Sequence, residues 1–428
     1  MDKKQNYTIP IIVMILLFGM ISFVTNLASP MGDILKHQFA IPNWQGTLGV
    51  FANFIAYAIM GIPAGNMLQK RGYKRTALVA VGVGFAGVAI QLCSGFMGSF
   101  VIYLAGALVA GFSMCLLNTV VNPMLNRLGG GGNKGNQLIQ FGGTFNSLCG
   151  TAVIVITGLL IPSIVEAKIS DTFPLMYTAL IVFAVAFLVI LVTNIPEKEE
   201  QKGASSELPF RDLFKFRHFV LGAIAIFLYV GVEVGTPKIL NEWLQNPHLN
   251  FFPDGVKAEA VAGSVTAFYW LLMLVGHLIG GLVGSKVSPR AMITAAATLA
   301  VVLVVAAIFI PSTTMISFPG FYNAKGFGMN QIPLSAALLV CVGLCASVMW
   351  GGIFNKAVQG LCDYTERASG LFMALVCGGG VLPLLMNGVV DIVGLEGYQL
   401  SYWVVVAGFA YILFYALVGS KPTNVEKQ

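Results

Sequence analysis

The chain has 428 residues, of which 57% are hydrophobic and only 10% are charged. Soluble domains carry about 25% charged residues, so this composition excludes an ordinary water-soluble protein. Apolar runs of about 20 residues follow one another with short polar breaks, and each is long enough to cross a bilayer. The first run has no small-residue cleavage site, which favours a retained helix over a signal peptide.

The basic residues are distributed unevenly. With the N-terminus inside the cell, 19 of the 24 Lys and Arg residues fall on cytoplasmic segments. The remainder, on outer segments or near outer helix ends, are Lys36, Lys168, Lys238, Lys257 and Lys325. This asymmetry follows the positive-inside rule, so the formal charge of +6 sets topology and indicates no nucleic-acid partner. We expect a multi-pass protein of the cell inner membrane with both termini cytoplasmic.

The pattern predicts an all-α polytopic membrane protein with 12 transmembrane helices in two pseudo-symmetric six-helix bundles. The predicted spans are residues 9–35, 45–69, 76–97, 100–125, 138–163, 173–195, 218–241, 259–284, 290–311, 333–358, 368–391 and 398–419. The N-terminal bundle covers 1–195, a cytoplasmic linker covers 196–216, and the C-terminal bundle covers 217–428. The loops at 246–257 and 311–333 are expected to cap the outer face.

A weak internal repeat supports the two halves. The loop after span 2, at 65–75, reads GNMLQKRGYKR, and the loop after span 8, at 280–290, reads GGLVGSKVSPR. Gly65 corresponds to Gly280, and Arg75 corresponds to Arg290. Parallel repeats of this kind are typical of transporters that rock two bundles around a central site.

The loop after span 2 resembles the signature G-x-x-x-D-R/K-x-G-R-R/K of the major facilitator superfamily. Gly65, Arg71, Gly72 and Arg75 match that pattern, and the resemblance implies that they form a conformational loop. Gln69 stands where the acidic residue is usual. The charged contact that this residue makes in relatives is therefore not expected here.

Further stretches resemble the fucose/glucose/galactose permease branch of that superfamily. They occur in the family's order at 26–27, 62–65, 122–123, 144–147, 229–233 and 378–383. The resemblance implies the major facilitator fold and secondary active uptake of a small sugar by alternating access, coupled to protons. It also implies a monomer whose partners are a sugar, a coupling ion and the lipid bilayer.

Several positions depart from that branch. Ser29 stands where span 1 has an Asp, and Asn118 stands where span 4 has a Glu linked to proton coupling. Gly143 takes the place of a sugar-contacting Gln, and His277 follows Gly276 where an Arg is usual. Ser29 and Asn118 remain expected site residues, but proton coupling by the usual carboxylates is not implied.

Ionisable side chains inside a bilayer are costly and mark candidate sites. Glu233 is the candidate proton carrier or sugar acceptor, and the alternative is a Glu233–Lys238 pair that holds an irregular helix around Pro237. Lys238 is a candidate substrate ligand or a residue that extends to the interface. His277 is a candidate proton relay, and an interhelical hydrogen bond is its alternative.

Amides and aromatic rings complete the expected site. Asn26, Asn118 and Asn146 offer donors and acceptors that suit sugar hydroxyls, although amides also join helices in membranes. Tyr229 and Trp350 are candidates for stacking on the apolar face of a sugar, with core packing as the alternative.

Other functions are less well supported. Two neutral residues in place of acids, together with Lys238 and His277, leave an anionic sugar such as a sialic acid or hexuronate open as the alternative cargo. An intramembrane enzyme would need clustered His, Asp or Glu ligands or a nucleophile–base pair, and a channel would show no two-half repeat. The seven cysteines have no metal-ligand spacing, so no metal and no cofactor are expected.

Overall fold

The structure, a computed structural model, describes residues 7–38, 48–160, 168–197, 209–253, 255–322 and 326–422. Ten of the described helices are long and apolar enough to cross a membrane. The helix Leu48–Met97 contains two spans, and the helix Gly132–Leu160 adds another to the ten. The prediction of 12 spans is therefore confirmed. The first nine spans are Thr8–Gln38 (span 1), Leu48–Met97 (spans 2 and 3), Phe100–Leu128 (span 4), Gly132–Leu160 (span 5), Phe173–Val192 (span 6), Arg217–Gln245 (span 7), Ala258–Val283 (span 8) and Pro289–Phe309 (span 9).

The last three spans are interrupted helices. Span 10 consists of Leu334–Ser347 and Met349–Ala357, and span 11 consists of Thr365–Ala374 and Gly378–Val393. Span 12 consists of Gly397–Leu400, Tyr402–Phe414 and the π-helical turn Tyr415–Gly419. The break at Val348 in span 10 turns a backbone carbonyl toward span 5, where Gln140 binds it.

Spans 2 and 3 are joined by a sharp turn at Gly72, whose φ of 76° lies in the left-handed region. A side chain there would be strained, and its Cβ would lie 2.5 Å from the Glu197 carboxylate. Glu197 accepts from the backbone amides of Tyr73 and Lys74 at 2.8 and 2.7 Å, which caps the start of span 3. Gly72 of the loop motif is therefore required both for the turn and for the cap by Glu197.

We call the end of the molecule that carries this loop the basic end, and the opposite end the hairpin end. The hairpin consists of antiparallel strands β1 (Met315–Phe321) and β2 (Phe327–Pro333), so the outer loop is not wholly irregular and the protein is not strictly all-α. Ser264 of span 8 accepts from the Phe321 amide at 2.8 Å, and the Lys257 amide donates to the Tyr322 carbonyl at 2.9 Å. These bonds fix the hairpin to the C-terminal half.

Basic side chains cap the ends of spans 6 and 12 in matching ways. Lys74 donates to the carbonyls of Leu191 and Thr193 at 2.8 and 2.9 Å. Arg290 donates to the carbonyls of Ala416, at 2.9 Å, and Leu417. The sequence pairs Arg290 with Arg75, but the structural counterpart of Arg290 is Lys74, because Arg75 is exposed.

The two halves of the chain meet along two helix crossings. Spans 2 and 11 form one, and spans 5 and 8 form the other. Hydrogen bonds between described residues of the two halves cluster from the middle of the spans to the basic end. A path between the halves is therefore closed at that end.

Candidate functional site

A hydrogen-bonded chain joins the two halves near the middle of the spans. The Asn118 amide donates to the Tyr57 hydroxyl at 2.7 Å, and Asn122 donates to the Asn118 side chain at 3.3 Å. The Trp350 indole of span 10 then donates to Asn122 Oδ1 at 2.9 Å. Asn122 thus links span 4 to the C-terminal half.

The indole also lies beside an aromatic ring of span 7. The Trp350 and Tyr229 rings lie 6.3 Å apart between centroids. The Tyr229 hydroxyl is fully buried, and the Glu233 carboxylate one helical turn away is the polar group beside it. Tyr229, Glu233 and Trp350 therefore lie in one group.

Span 7 stays helical through Pro237, so the irregular helix considered from the sequence is not observed. Proline has no N–H, and the Glu233 carbonyl four residues earlier therefore has no intrahelical donor. Tyr269 of span 8 donates its hydroxyl to that carbonyl at 3.2 Å. The proline therefore leaves the Glu233 carbonyl free for a hydrogen bond that joins spans 7 and 8.

Lys238 does not pair with Glu233. Its ammonium lies 4.0 Å from Glu242 one turn further on, and both side chains keep 39% of their surface exposed. A spacing of four residues puts two side chains on one helix face, whereas a spacing of five does not. Lys238 therefore belongs to a half-exposed pair toward the hairpin end, and Glu233 has no cationic partner among the described residues.

His277 lies at the crossing of spans 5 and 8. Its Nδ1 is 3.1 Å from Gln140 Oε1, and Gln140 Nε2 donates to the Val348 carbonyl at 3.0 Å. A Cβ on Gly143 would lie 2.6 Å from His277 Nδ1, so the absence of a side chain at Gly143 makes room for the ring. The two departures at positions 143 and 277 are sterically complementary.

Of the remaining amides expected in the site, Asn146 joins two helices and Asn26 bonds within its own helix. Asn146 donates to the Phe18 carbonyl of span 1 at 2.7 Å. Asn26 donates to the Ser22 carbonyl and hydroxyl at 2.8 and 2.9 Å. The carbonyl oxygens of both amides have no partner among the described residues. The side chain of Ser29 lies outside the described part of the structure.

The crossing of spans 2 and 11 closes the basic end. A Cβ on Gly65 would lie 3.0 Å from Gly370 Cα, so the two backbones touch. Arg367 of span 11 donates to Gln69, and the Tyr73 hydroxyl lies 3.2 Å from Glu366. Gln69 thus contacts the other half through a hydrogen bond from Arg367 to a neutral amide oxygen, and this contact is not an ion pair.

The other two residues of the loop motif do not take part in this closure. Arg71 and Arg75 are exposed at the basic end. The linker contributes instead, because the Arg367 guanidinium lies 5.0 Å from the centroid of the Phe210 ring. Leu213 of the linker is buried, whereas Phe214 is exposed.

Sequence reasoning missed Tyr57, Gln140, Glu242 and Arg367. Tyr57 and Gln140 give no local signal, because their partners are 61 and 137 residues away in sequence. Glu242 had a signal, since it follows Lys238 by one helical turn. Arg367 was counted only as a topology marker, although it is 6% exposed and bonded across the halves.

A family model described as the Major Facilitator Superfamily matches residues 11–384. The chain belongs to the major facilitator superfamily. Its helical spans and its fold agree with that membership, as the resemblance of the loop at 65–75 implies.

Relatives and solved structures extend over nearly the whole of this major facilitator. A glucose/galactose transporter of Brucella abortus is 28% identical over 98% of this chain and 96% of that protein. The L-fucose-proton symporter of Escherichia coli is 22% identical over 92% of this chain and 89% of that protein.

Two solved structures have the same fold. A major facilitator transporter, FucP, in the outward conformation gives a TM-score of 0.80 at 19% identity and covers 97% of this chain and 99% of its own. A proton:xylose symporter gives a TM-score of 0.72 at 14% identity, with 97% and 96% covered.

Proposed function

We propose that this major facilitator imports a small neutral sugar, a monosaccharide, across the inner membrane as a proton symporter. The observation that carries the proposal is the polar and aromatic group where the halves meet: Asn118, Asn122, Trp350, Tyr229 and Glu233. Aromatic faces and amides suit the apolar and hydroxyl faces of a sugar. The relatives named as glucose/galactose transporters and a fucose-proton symporter support the same cargo class.

Transport would proceed by rocking of the two bundles, 1–195 and 217–428, connected by the linker 196–216. The closed crossing at Gly65 and Gly370 and the likeness to a transporter in the outward conformation support an outward-facing state. Opening of the basic end then requires separation of Gln69 from Arg367 and of Trp350 from Asn122. We propose that this end and both termini are cytoplasmic and that the monomer is the functional unit.

Glu233 is our candidate for the residue that carries the coupling proton. Its carboxylate lies within the group that contacts the cargo, and no cation neutralises it among the described residues. Protonation would therefore remove an uncompensated charge in the membrane before the path reorients. His277 is a weaker candidate, because Gln140 occupies one of its ring nitrogens.

The contacts of Lys238 favour a neutral sugar over the anionic alternative. Glu242 compensates the lysine, and both side chains are half-exposed. The cationic residues near the path therefore supply little net positive charge for a carboxylate of a sialic acid or hexuronate.

The test is uptake into proteoliposomes of labelled galactose, glucose, fucose, sialic acid and glucuronate, with and without an inward proton gradient. We expect the neutral sugars to accumulate when the gradient is imposed. Uptake of the two acids alone would contradict the neutral cargo, and uptake of none of the five would contradict sugar transport.

Glu233→Gln tests the coupling role. We expect this variant to bind sugar and to exchange it across the membrane, but to lose accumulation driven by the proton gradient. Glu242→Gln is the matched control, since it lies on the same helix and is expected to retain accumulation. Gradient-driven accumulation by Glu233→Gln would remove Glu233 as the carrier.

A further inference from the structure

The Gln140 side chain has a fixed orientation. It is 1% exposed and lies between spans 8 and 10, where Gly280 and Gly351 leave room for it. Its Nε2 is 3.0 Å from the Val348 carbonyl, which can only accept a hydrogen bond. A flipped amide would set two acceptors against each other, so Oε1 must be the atom that faces His277.

The orientation of Gln140 determines the tautomer of His277. Because Oε1 is an acceptor 3.1 Å from the ring, Nδ1 of His277 must carry the proton and donate it. In a neutral imidazole the other nitrogen, Nε2, then carries the lone pair and accepts. No described residue donates to Nε2.

The location of the His277 ring indicates which molecule can donate a hydrogen bond to Nε2. His277 packs against the bare backbone of Gly143 on the other half of the molecule, so it lies on the boundary between the halves. Gln140 connects it to Val348, two residues before Trp350, whose indole bonds Asn122 across the same boundary. The ring is 6% exposed, and its Nε2, which receives no hydrogen bond from a described residue, is free to accept one from a molecule that enters between the halves.

We propose that His277 determines cargo specificity by accepting a hydrogen bond at Nε2 from one hydroxyl of the sugar, with Gln140 as the residue that fixes its tautomer. The inference rests on the sugar transport proposed above. An acceptor at this point selects a cargo that can donate, which is a hydroxyl group, and disfavours a carboxylate, which cannot.

The first test compares deoxy and deoxyfluoro sugars, because fluorine replaces a hydroxyl without being able to donate. Binding of galactose, glucose and their monodeoxy and monodeoxyfluoro analogues to the purified full chain is measured by calorimetry. At one ring position we expect both analogues to bind about 10-fold more weakly than the parent sugar. In His277→Leu the same analogues should bind within about twofold of the parent, because the acceptor is gone.

The possible results separate two failures. Discrimination that is unchanged in His277→Leu, or a deoxyfluoro sugar that binds like its parent at every position, would overturn the role of His277 while leaving sugar binding intact. If no sugar binds the unmodified protein, the proposed function fails first, and the cargo assigned to Nε2 fails with it.

The second test uses the unmodified protein, so it does not depend on whether a variant folds. Solid-state ¹⁵N NMR of histidine-labelled protein in lipid distinguishes the two neutral tautomers. His218 is an internal reference, because its Nε2 lies 2.8 Å from the Gln359 carbonyl and must donate. We expect His277 with its proton on Nδ1 and His218 with its proton on Nε2, and a His277 signal of the second kind would contradict the proposal.

Discussion

Spans 2 and 11 cross at Gly65 and Gly370, whereas spans 5 and 8 cross at Gln140 and His277. The internal repeat relates the two crossings, since span 8 corresponds to span 2 and span 5 to span 11. At the first crossing the backbones touch and the polar contacts lie beyond it, toward the basic end. At the second, Gly143 and the neighbouring glycines make room for polar side chains.

Because of this difference, we expect the two related crossings to have different roles. Backbone contact is short-ranged and has no directional polar partner, so the crossing of spans 2 and 11 is suited to closing a path. Oriented hydrogen bonds discriminate between donors and acceptors, so the crossing of spans 5 and 8 is suited to contacting a cargo.

The largest expected effect comes from filling the backbone contact. Gly370→Ala would put a Cβ 2.5 Å from backbone atoms of Gly61 and Gly65, which leaves no flexible group to move. We expect uptake to fall by at least about 10-fold and stability to fall by about 1–3 kcal/mol, as for overpacking. Gly388→Ala on the same span is the control, because its added Cβ would meet no atom within 4 Å. Equal losses in both variants would refute a specific role for the contact.

The next effect concerns the polar crossing. Gln140→Leu removes two hydrogen bonds and leaves the Val348 carbonyl and His277 Nδ1 without a partner. We expect a stability loss of about 1–2 kcal/mol by thermal denaturation, at the upper end for bonds in membranes, together with lost discrimination between deoxy sugars. Gln137→Leu, which removes one bond to the Gly281 carbonyl, should cost less and leave discrimination unchanged.

A smaller effect should follow from restoring an acidic side chain at the first crossing. Gln69→Glu would replace the neutral contact to buried Arg367 with an ion pair across the halves. We expect the closed basic end to become more populated and turnover to fall by about two- to fivefold, which corresponds to about 0.4–1 kcal/mol. Cysteine accessibility at the basic end measures the population. Faster turnover with a more accessible basic end would contradict this reasoning.

The smallest effect concerns the linker, which supports the first crossing and not the second. Asp212 accepts from Tyr364 at 3.1 Å and pairs with Lys215 at 2.7 Å, and the bond to Lys215 lowers the pKa of Asp212. A lowered carboxyl pKa stabilises docking above its ordinary value, and this contribution is lost as the pH falls through the lowered value. Asp212→Asn should change uptake less than about twofold, because the pair is exposed. A larger effect at neutral pH would show that linker docking limits transport.

The sequence predicted the architecture well because hydropathy and charge asymmetry are local signals. The span count, the loop glycines and the grouping of Glu233 with Tyr229 all follow from residues close together in the chain. The sequence predicts a loop at 311–333 and not the hairpin, since short strands give a weak signal beside strong transmembrane runs.

The site was predicted only in part, because its decisive contacts join residues far apart. Asn118 is a site candidate from its motif position and Trp350 as a ring that could stack on a sugar, but nothing in the sequence shows that Asn122 connects them. The alternative of a Glu233–Lys238 pair is not observed, since helix geometry favours a pair of Lys238 with Glu242. The match between Gly143 and His277 was visible as two separate departures, and only their proximity shows that one makes room for the other.

The β-hairpin offers a fixed landmark outside the bilayer. Its bonds to Ser264 and Lys257 attach it to the C-terminal half, so it must move with that half as a rigid marker. Met329 on the hairpin is 65% exposed, and Met97 at the same end of the N-terminal half is 68% exposed. Spin labels at these two positions would report each conformational step as a change in the distance between the labels. That distance measures the angle between the two halves.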